Sequence, residues 1–255
     1  MGAKTRLIYN NLWRKGTGLL PASPVADLQH PVSDTMMDTK SMYFQSSTLG
    51  HPLELPMDLG GVKEVDFVAI IGHNFADIGA GLTIQFQLSS APNFGADLET
   101  IDLEYAADNI FQFFTAYTRQ YVRVKVDRAG DFAVKPKVPT ILCGKYAEFN
   151  RRFAPEYEIG EEDFSEFEYS DSQVLFAQEK DSLNIRRYTY QALNTASKDD
   201  ILAMFKECKT IKAFAFCLDH TAPNTNTLWV RNSELNSPVC RKGVWYWETA
   251  IKEVI

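Results

Sequence analysis

Leu82-Thr83-Ile84-Gln85-Phe86-Gln87-Leu88 alternates four apolar with three polar residues without exception. A period of two sets Leu82, Ile84, Phe86 and Leu88 on one side of an extended chain, which predicts a strand with one buried face. The same period recurs on both sides of this segment. Upstream, Leu53, Leu55, Met57 and Leu59 alternate with Glu54, Pro56 and Asp58. Pro56 lacks a backbone donor, so this segment is expected at a sheet edge or at a bulge. Gly60-Gly61 predicts a turn into Val65-Asp66-Phe67-Val68-Ala69-Ile70-Ile71, a more continuous apolar run suited to a central strand, with the two segments closely paired as in a hairpin. Downstream, the turn-rich 89–95 precedes Tyr121-Val122-Arg123-Val124-Lys125-Val126-Asp127, where the three valines face one way and the charges the other. Thr140-Ile141-Leu142-Cys143-Gly144 reads as a further short strand. Strands recurring between turns, with almost no helical period, predict a β-sandwich that ends near residue 148.

Outside that block the pattern changes. The first 50 residues or so are rich in Pro, Ser, Asp and Thr and read as extended loops with one short strand. Eight acids and no Lys or Arg lie between Phe153 and Asp171, which reads as a solvated linker or partner-facing loop, since the Asp/Asn-Gly spacing of a calcium loop is missing. Beyond it, Asn184 to Leu193 reads as a strand. Ser197-Lys198-Asp199-Asp200 places a Ser N-cap ahead of Ile201, Leu202, Phe205 and Cys208 on one helical face, so a short amphipathic helix near 198–208 is predicted. Ala213 to Leu218, Thr227 to Arg231 and Val244 to the last residues read as strands. The expected fold is therefore mainly β: a sandwich over residues 1–148 and a smaller β-sandwich unit with one helix over 149–255.

Composition narrows the function classes. The 255 residues are 45% hydrophobic and 23% charged, enough for one large or two ordinary cores. Thirty-three acids against 26 Lys and Arg give a net charge of -7, so the basic footprint of a nucleic-acid binder is missing. No apolar run approaches the roughly 20 residues of a bilayer-spanning helix, and no signal peptide is expected at the N-terminus. Cys143, Cys208, Cys217 and Cys240 form no CxxC pair, which points to reduced thiols and cytosolic synthesis.

Motifs of catalysis are missing as well. The sequence has no GxSxG, SxxK, HExxH or GxxxxGK. Gly79-Ala80-Gly81 begins like a dinucleotide fingerprint, but Ile84 stands where the third glycine belongs and a strand follows where a helix N-terminus is needed. His30, His51, His73 and His220 are dispersed, so no metal site and no cofactor is expected. His73 reads as a turn histidine bonded locally, and Cys208 and Cys217 as inert core thiols. Trp229, Trp245, Tyr246 and Trp247 could form either core or a sugar-stacking platform, and only those facing away from the core can be a site.

The order of Asn10-Asn11-Leu12, Pro24-Val25-Ala26-Asp27-Leu28, Tyr43-Phe44-Gln45-Ser46, Leu53 to Gly60 and Val65 to Asn74 resembles the discoidin-like, galactose-binding-like jelly roll of bacteriophage virion proteins. The resemblance covers about residues 8–148. The second half, with Arg186-Arg187, the capped helix and the closing strand ending in Glu253-Val254-Ile255, is similar to the C-terminal β-sandwich of phage tail structural proteins. The resemblance implies a virion component of tail or neck, a homo-oligomeric ring contacting other virion proteins, without catalytic or cofactor residues. The alternative is a carbohydrate-binding module for host-surface glycans. Candidate interface or ligand contacts are Tyr43, Phe44, His73, Asn74 and Tyr246, with Glu161, Glu162 and Asp163 as a charged surface.

Overall fold

The computed structural model describes residues 4–38, 40–151, 158–162, 166–169, 175–178 and 183–254, and the chain is mainly β. Its first part contains β1 (Arg6–Ile8), a helical turn α1 (Leu12–Lys15), β2 (Gly18–Leu19), β3 (Phe44–Gln45), β4 (Leu53–Ile71), β5 (Thr83–Ser89), β6 (Glu99–Asp102), β7 (Asn109–Asp127), β8 (Lys137–Val138), β9 (Thr140–Gly144) and β10 (Ala147–Glu148). A six-stranded sheet runs β2-β4-β7-β5-β6, with β9 added beside β4.

Gly60-Gly61 does not turn the chain back. Leu53 to Ile71 is one 19-residue strand, and both halves pair antiparallel with the equally long β7. Two segments bound in sequence to the same partner strand cannot also pair with each other, which excludes the expected hairpin. The glycines instead absorb an irregularity in register between Asp58 and Lys63. Gly60 has φ of +74°, and a Cβ there would lie 2.7 Å from Thr17 Cγ2.

The two halves of β4 are buried differently. Leu53, Leu55, Met57 and Leu59 point into a first core with Phe86, Val122, Val124 and Val126. In the second half, Val68 and Ile70 enter that core, while Phe67, Ala69 and Ile71 enter another on the opposite face. Burial on both faces explains the unbroken apolar run. The first half of β7, Asn109 to Gln120, shows no clean alternation for a different reason: Ile110 and Phe111 are buried on opposite faces, while Thr115, Ala116 and Thr118 are exposed.

The last hundred residues add β11 (Glu158–Glu162), β12 (Glu166–Tyr169), β13 (Leu175–Gln178), β14 (Leu183–Leu193), helix α2 (Thr195–Cys208), β15 (Phe214–Cys217), a turn of helix α3 (Pro223–Asn226), β16 (Thr227–Asn232), β17 (Val239–Arg241) and β18 (Val244–Glu253). An eight-stranded sheet runs β10-β1-β15-β16-β18-β14-β11, with β17 beside β18. The helix starts earlier than the Ser197 cap predicts. Asn194 is the N-cap, its side chain accepting from Ser197 N, and the Ser197 hydroxyl donates to Asn150 Oδ1 instead.

This sheet has two differently covered faces. Tyr188, Tyr190, Phe214, Phe216, Val230, Trp247 and Ile251 pack with Ile201 and Met204 of α2 in a second core. On the reverse face, Ile8, Ala215 and Trp229 pack against Phe67, Ala69, Ile71, Phe111 and Leu142 of the first sheet. The seam between the sheets is reinforced at one end by Arg6. Its guanidinium lies 4.5 Å from the Phe113 ring centre and 4.0 Å from that of Tyr146, and it donates to Glu148 Oε2 from Nε (3.1 Å) and Nη2 (3.0 Å). Asp66 sits buried nearby and accepts from Tyr146 N at 2.9 Å.

Candidate functional site

The sequence-predicted contacts divide into separate places. Phe44 has no exposed surface: it pairs with Val138 and fills the first core, so it offers nothing to a ligand. Tyr43 stacks on His30 with ring centres 4.2 Å apart and has Lys137 Nζ 4.9 Å from its own ring centre. Asn74 fastens the same neighbourhood, accepting from Lys137 N at 2.7 Å and donating to Lys135 O at 3.1 Å. His73 is buried, stacks on Phe75 and accepts from Phe75 N through Nδ1 at 3.2 Å, which is the locally bonded turn histidine the sequence predicts. Burial pushes its pKa down to about 4 despite the opposing charge of Asp108. Tyr43, His73 and Asn74 thus brace one end of the first unit. Tyr246 belongs to the other sheet, the backbone of Glu161 and Glu162 lies in β11, and Asp163 lies outside the described residues.

The cysteines carry no nucleophile on the described surface apart from exposed Cys240. Cys143, Cys208 and Cys217 are buried, and burial pushes all three thiols above their ordinary range. Among the described residues no three His, Cys, Asp or Glu side chains gather as metal ligands, and no helix is long and apolar enough to cross a membrane.

A different set of residues forms a groove where β5 begins and β7 ends. Alternation on β7 puts Lys125 and Asp127 on the face opposite Val124 and Val126, and the cross-strand partners of the pair are Gln85 and Thr83. His51, just ahead of β4, brings its Nδ1 to 3.0 Å from Asp127 Oδ1. Lys125 Nζ lies 3.6 Å from the other carboxylate oxygen, and Arg128 N donates to Oδ1 at 2.9 Å. Burial alone raises the Asp127 pKa, but the His51 and Arg128 hydrogen bonds and the Lys125 charge outweigh it and hold the carboxyl below its usual range. Arg128 reaches over the neighbouring loop, donating from Nη1 to Ile78 O at 2.7 Å, while its buried Nε has no partner. That reach requires Gly79, where a Cβ would stand 2.0 Å from the guanidinium.

The groove encloses about 490 Å³. On the far side of Gly81, which lines both, an apolar cleft of about 420 Å³ is bounded by Phe75, Leu82 and the exposed ring of Tyr105. A ligand spanning Gly81 meets fixed donors and acceptors on one side and an aromatic ring with aliphatic walls on the other. The alternation on β7 already puts Lys125 and Asp127 on one face. No sequence signal links them to His51 or Tyr105, because only the folded sheet joins positions so far apart.

No protein-family model matches the sequence, and no curated protein matches it. Among solved structures, the chain is similar to chitosan-binding module 1 of a chitosanase/glucanase from Paenibacillus sp. IK-5, at 18% identity and TM-score 0.42, over 53% of this chain and 99% of that one. It is similar to chitosan-binding module 2 of the same enzyme in complex with chitotriose, at 12% identity and TM-score 0.41, over 53% of this chain and 100% of that one. It is also similar to the CBM32 of AlyQ in complex with 4,5-unsaturated mannuronic acid, at 16% identity and TM-score 0.36, over 50% of this chain and 94% of that one.

Proposed function

We propose that this protein is a non-catalytic saccharide-binding protein whose site is the groove around His51, Asp127 and Arg128 together with the cleft under Tyr105. One observation carries the reading: a polar groove with pre-set donors and acceptors adjoins an apolar cleft with an exposed aromatic ring, Gly81 lining both. A pyranose presents that combination, with hydroxyls around its rim and C–H groups on its face. Both charge signs in the groove suit hydroxyls, which donate and accept, better than a ligand of one charge. Binding is tested on a glycan microarray and by titration calorimetry with chitotriose and mannuronate oligosaccharides, each with wild type, Tyr105→Ala and Asp127→Asn. Binding by wild type and at least tenfold weaker binding by both variants is the expected result. Wild type that retains no glycan overturns the proposal.

A second reading is assembly as a homo-oligomeric component of a virion tail or neck; a separate observation bears on its self-association alone. Val25, Leu28 and Leu49 are exposed, Leu28 completely so. They sit on loops bound into one surface, with Ser47 N donating to Val25 O and Phe132 N to Leu49 O. Light scattering of wild type and Leu28→Asp tests the self-association: a defined oligomer that the variant dissociates supports it, and a monomer at all concentrations removes this reading.

A further inference from the structure

Among the described residues, the first sheet packs on the reverse face of the eight-stranded sheet through β1, β15 and β16. Farther along that face, the stretch around Thr189, Gln191, Tyr246 and Glu248 carries no second layer of described residues and lines a cleft instead. Trp247 and Tyr190 turn toward α2, so the residues alternating with them, Thr189 and Gln191 on β14 and Tyr246 and Glu248 on β18, line the other side. Thr189 stands opposite Glu248 in register, and Tyr246 opposite Val239 of β17. The irregularity between Tyr190 and Leu193, with Ala192 at φ of +56°, sets Gln191 at the bulge beside this row. The loop before β17 raises a wall with Asn236, and the resulting cleft holds about 640 Å³.

Asn236 Nδ2 donates to Glu234 Oε2 at 3.2 Å, but other polar groups of this cleft are not consumed by the fold. Thr189, Gln191 and Glu248 make no side-chain hydrogen bond or ion pair with any described residue, unlike the braced Asp127 of the first groove. Arg241, 5.8 Å from the Tyr246 ring centre, forms no ion pair with Glu248. One cation, one anion, amides, a hydroxyl and an aromatic ring around an open cleft present a balanced set of donors and acceptors with no net charge. A polyhydroxylated ring matches that set, its C–H face on Tyr246 and its hydroxyls toward Gln191, Glu248 and Arg241. We infer that this platform is a second saccharide-binding site, which makes one chain divalent for glycans. The choice of a saccharide rests on the proposed function, whereas the location rests on this sheet alone.

Wild type, Tyr246→Ala, Gln191→Ala and Tyr105→Ala are compared on one glycan microarray, with thermal melting of each variant. Because Gln191 is exposed, its variant keeps the fold even where Tyr246→Ala does not. A class of glycans whose signal falls at least tenfold with Gln191→Ala and Tyr246→Ala, yet persists with Tyr105→Ala, is the expected result. If every retained glycan is lost with Tyr105→Ala and unaffected by Gln191→Ala, the platform is refuted while the first groove stands. If Gln191→Ala and Tyr246→Ala abolish all binding and Tyr105→Ala changes none, the first groove is refuted and the platform stands. Wild type that retains no glycan overturns both.

Discussion

Replacing Asp66 by Asn is expected to stabilise the protein, and to do so only above mildly acidic pH. Asp66 is 6% exposed and accepts one hydrogen bond, from Tyr146 N. Burial is the main cause that raises its pKa from 3.8 to about 6; the Tyr146 hydrogen bond and the Lys145 and Arg6 charges oppose the rise, and Glu64 adds to it. The folded state therefore holds a proton between about 4 and 6 that the unfolded chain has released, and stability contributed by this group falls as pH rises through that window. Above it both states are ionised and the whole cost of the buried anion is present. A shift of about two units corresponds to an upper bound of about 3 kcal/mol, so a stabilisation of roughly 1–3 kcal/mol is expected for the neutral isostere, whose carbonyl still accepts from Tyr146 N. Urea unfolding of both proteins at pH 4.0, 5.0 and 7.5 reads the difference directly. Glu148 and Asp127, whose carboxyls lie below their usual range, respond to pH in the opposite sense but equally in both proteins, so they cancel. A difference that is the same at pH 4.0 and 7.5, or an Asn variant less stable at pH 7.5, refutes the reasoning.

Arg6→Met is expected to lower stability by about 2 kcal/mol, since it removes the two hydrogen bonds to Glu148 and the cation between the Phe113 and Tyr146 rings, measured as a fall in urea midpoint. The same variant weakens the acid dependence contributed by Glu148, whose carboxyl burial raises but whose Lys4 and Arg6 bonds hold low; that stability is present above the unfolded carboxyl pKa and lost as pH falls. Thr35→Val is expected to cost about 1–3 kcal/mol, because the buried Trp13 Nε1, now donating to Thr35 Oγ1 at 3.0 Å, loses its acceptor; Thr35→Ser retains it and stays close to wild type in the same unfolding assay.

Where one face of a strand is wet, its residues announce it: Val122, Val124 and Val126 alternate with charges because β7 there covers a single core. Where both faces are buried, as from Phe67 to Ile71, composition still marks a strand, but partner and register are invisible. Gln87 shows a subtler limit. It lies on the polar side of the best alternating segment yet is 5% exposed, because Arg123 donates to its Oε1 at 2.6 Å and lies in turn against Phe94. The first groove escaped sequence reading because its members have ordinary local roles: a histidine before a proline, a charge ending a strand, a tyrosine in a loop. The platform was half visible, since alternation set Tyr246 against Trp247, but which side lay open depended on how far the other sheet reached.

The position of β1 bears on how the chain comes together during synthesis. Residues 6–8 lie between β10 and β15, pairing with 147–148 on one side and 215–217 on the other. The ribosome makes this strand more than two hundred residues before its inner neighbour. Until then β1 has an unpaired edge and nowhere to bury Leu7, which belongs to the core under α2. Contacts so distant in sequence close slowly. The junction of β1 with β15, next to the β10 edge of the sheet, therefore closes only after the two hundred or so intervening residues exist, and until then β1 is an unpaired strand of the kind that a chaperone holding extended apolar segments recognises.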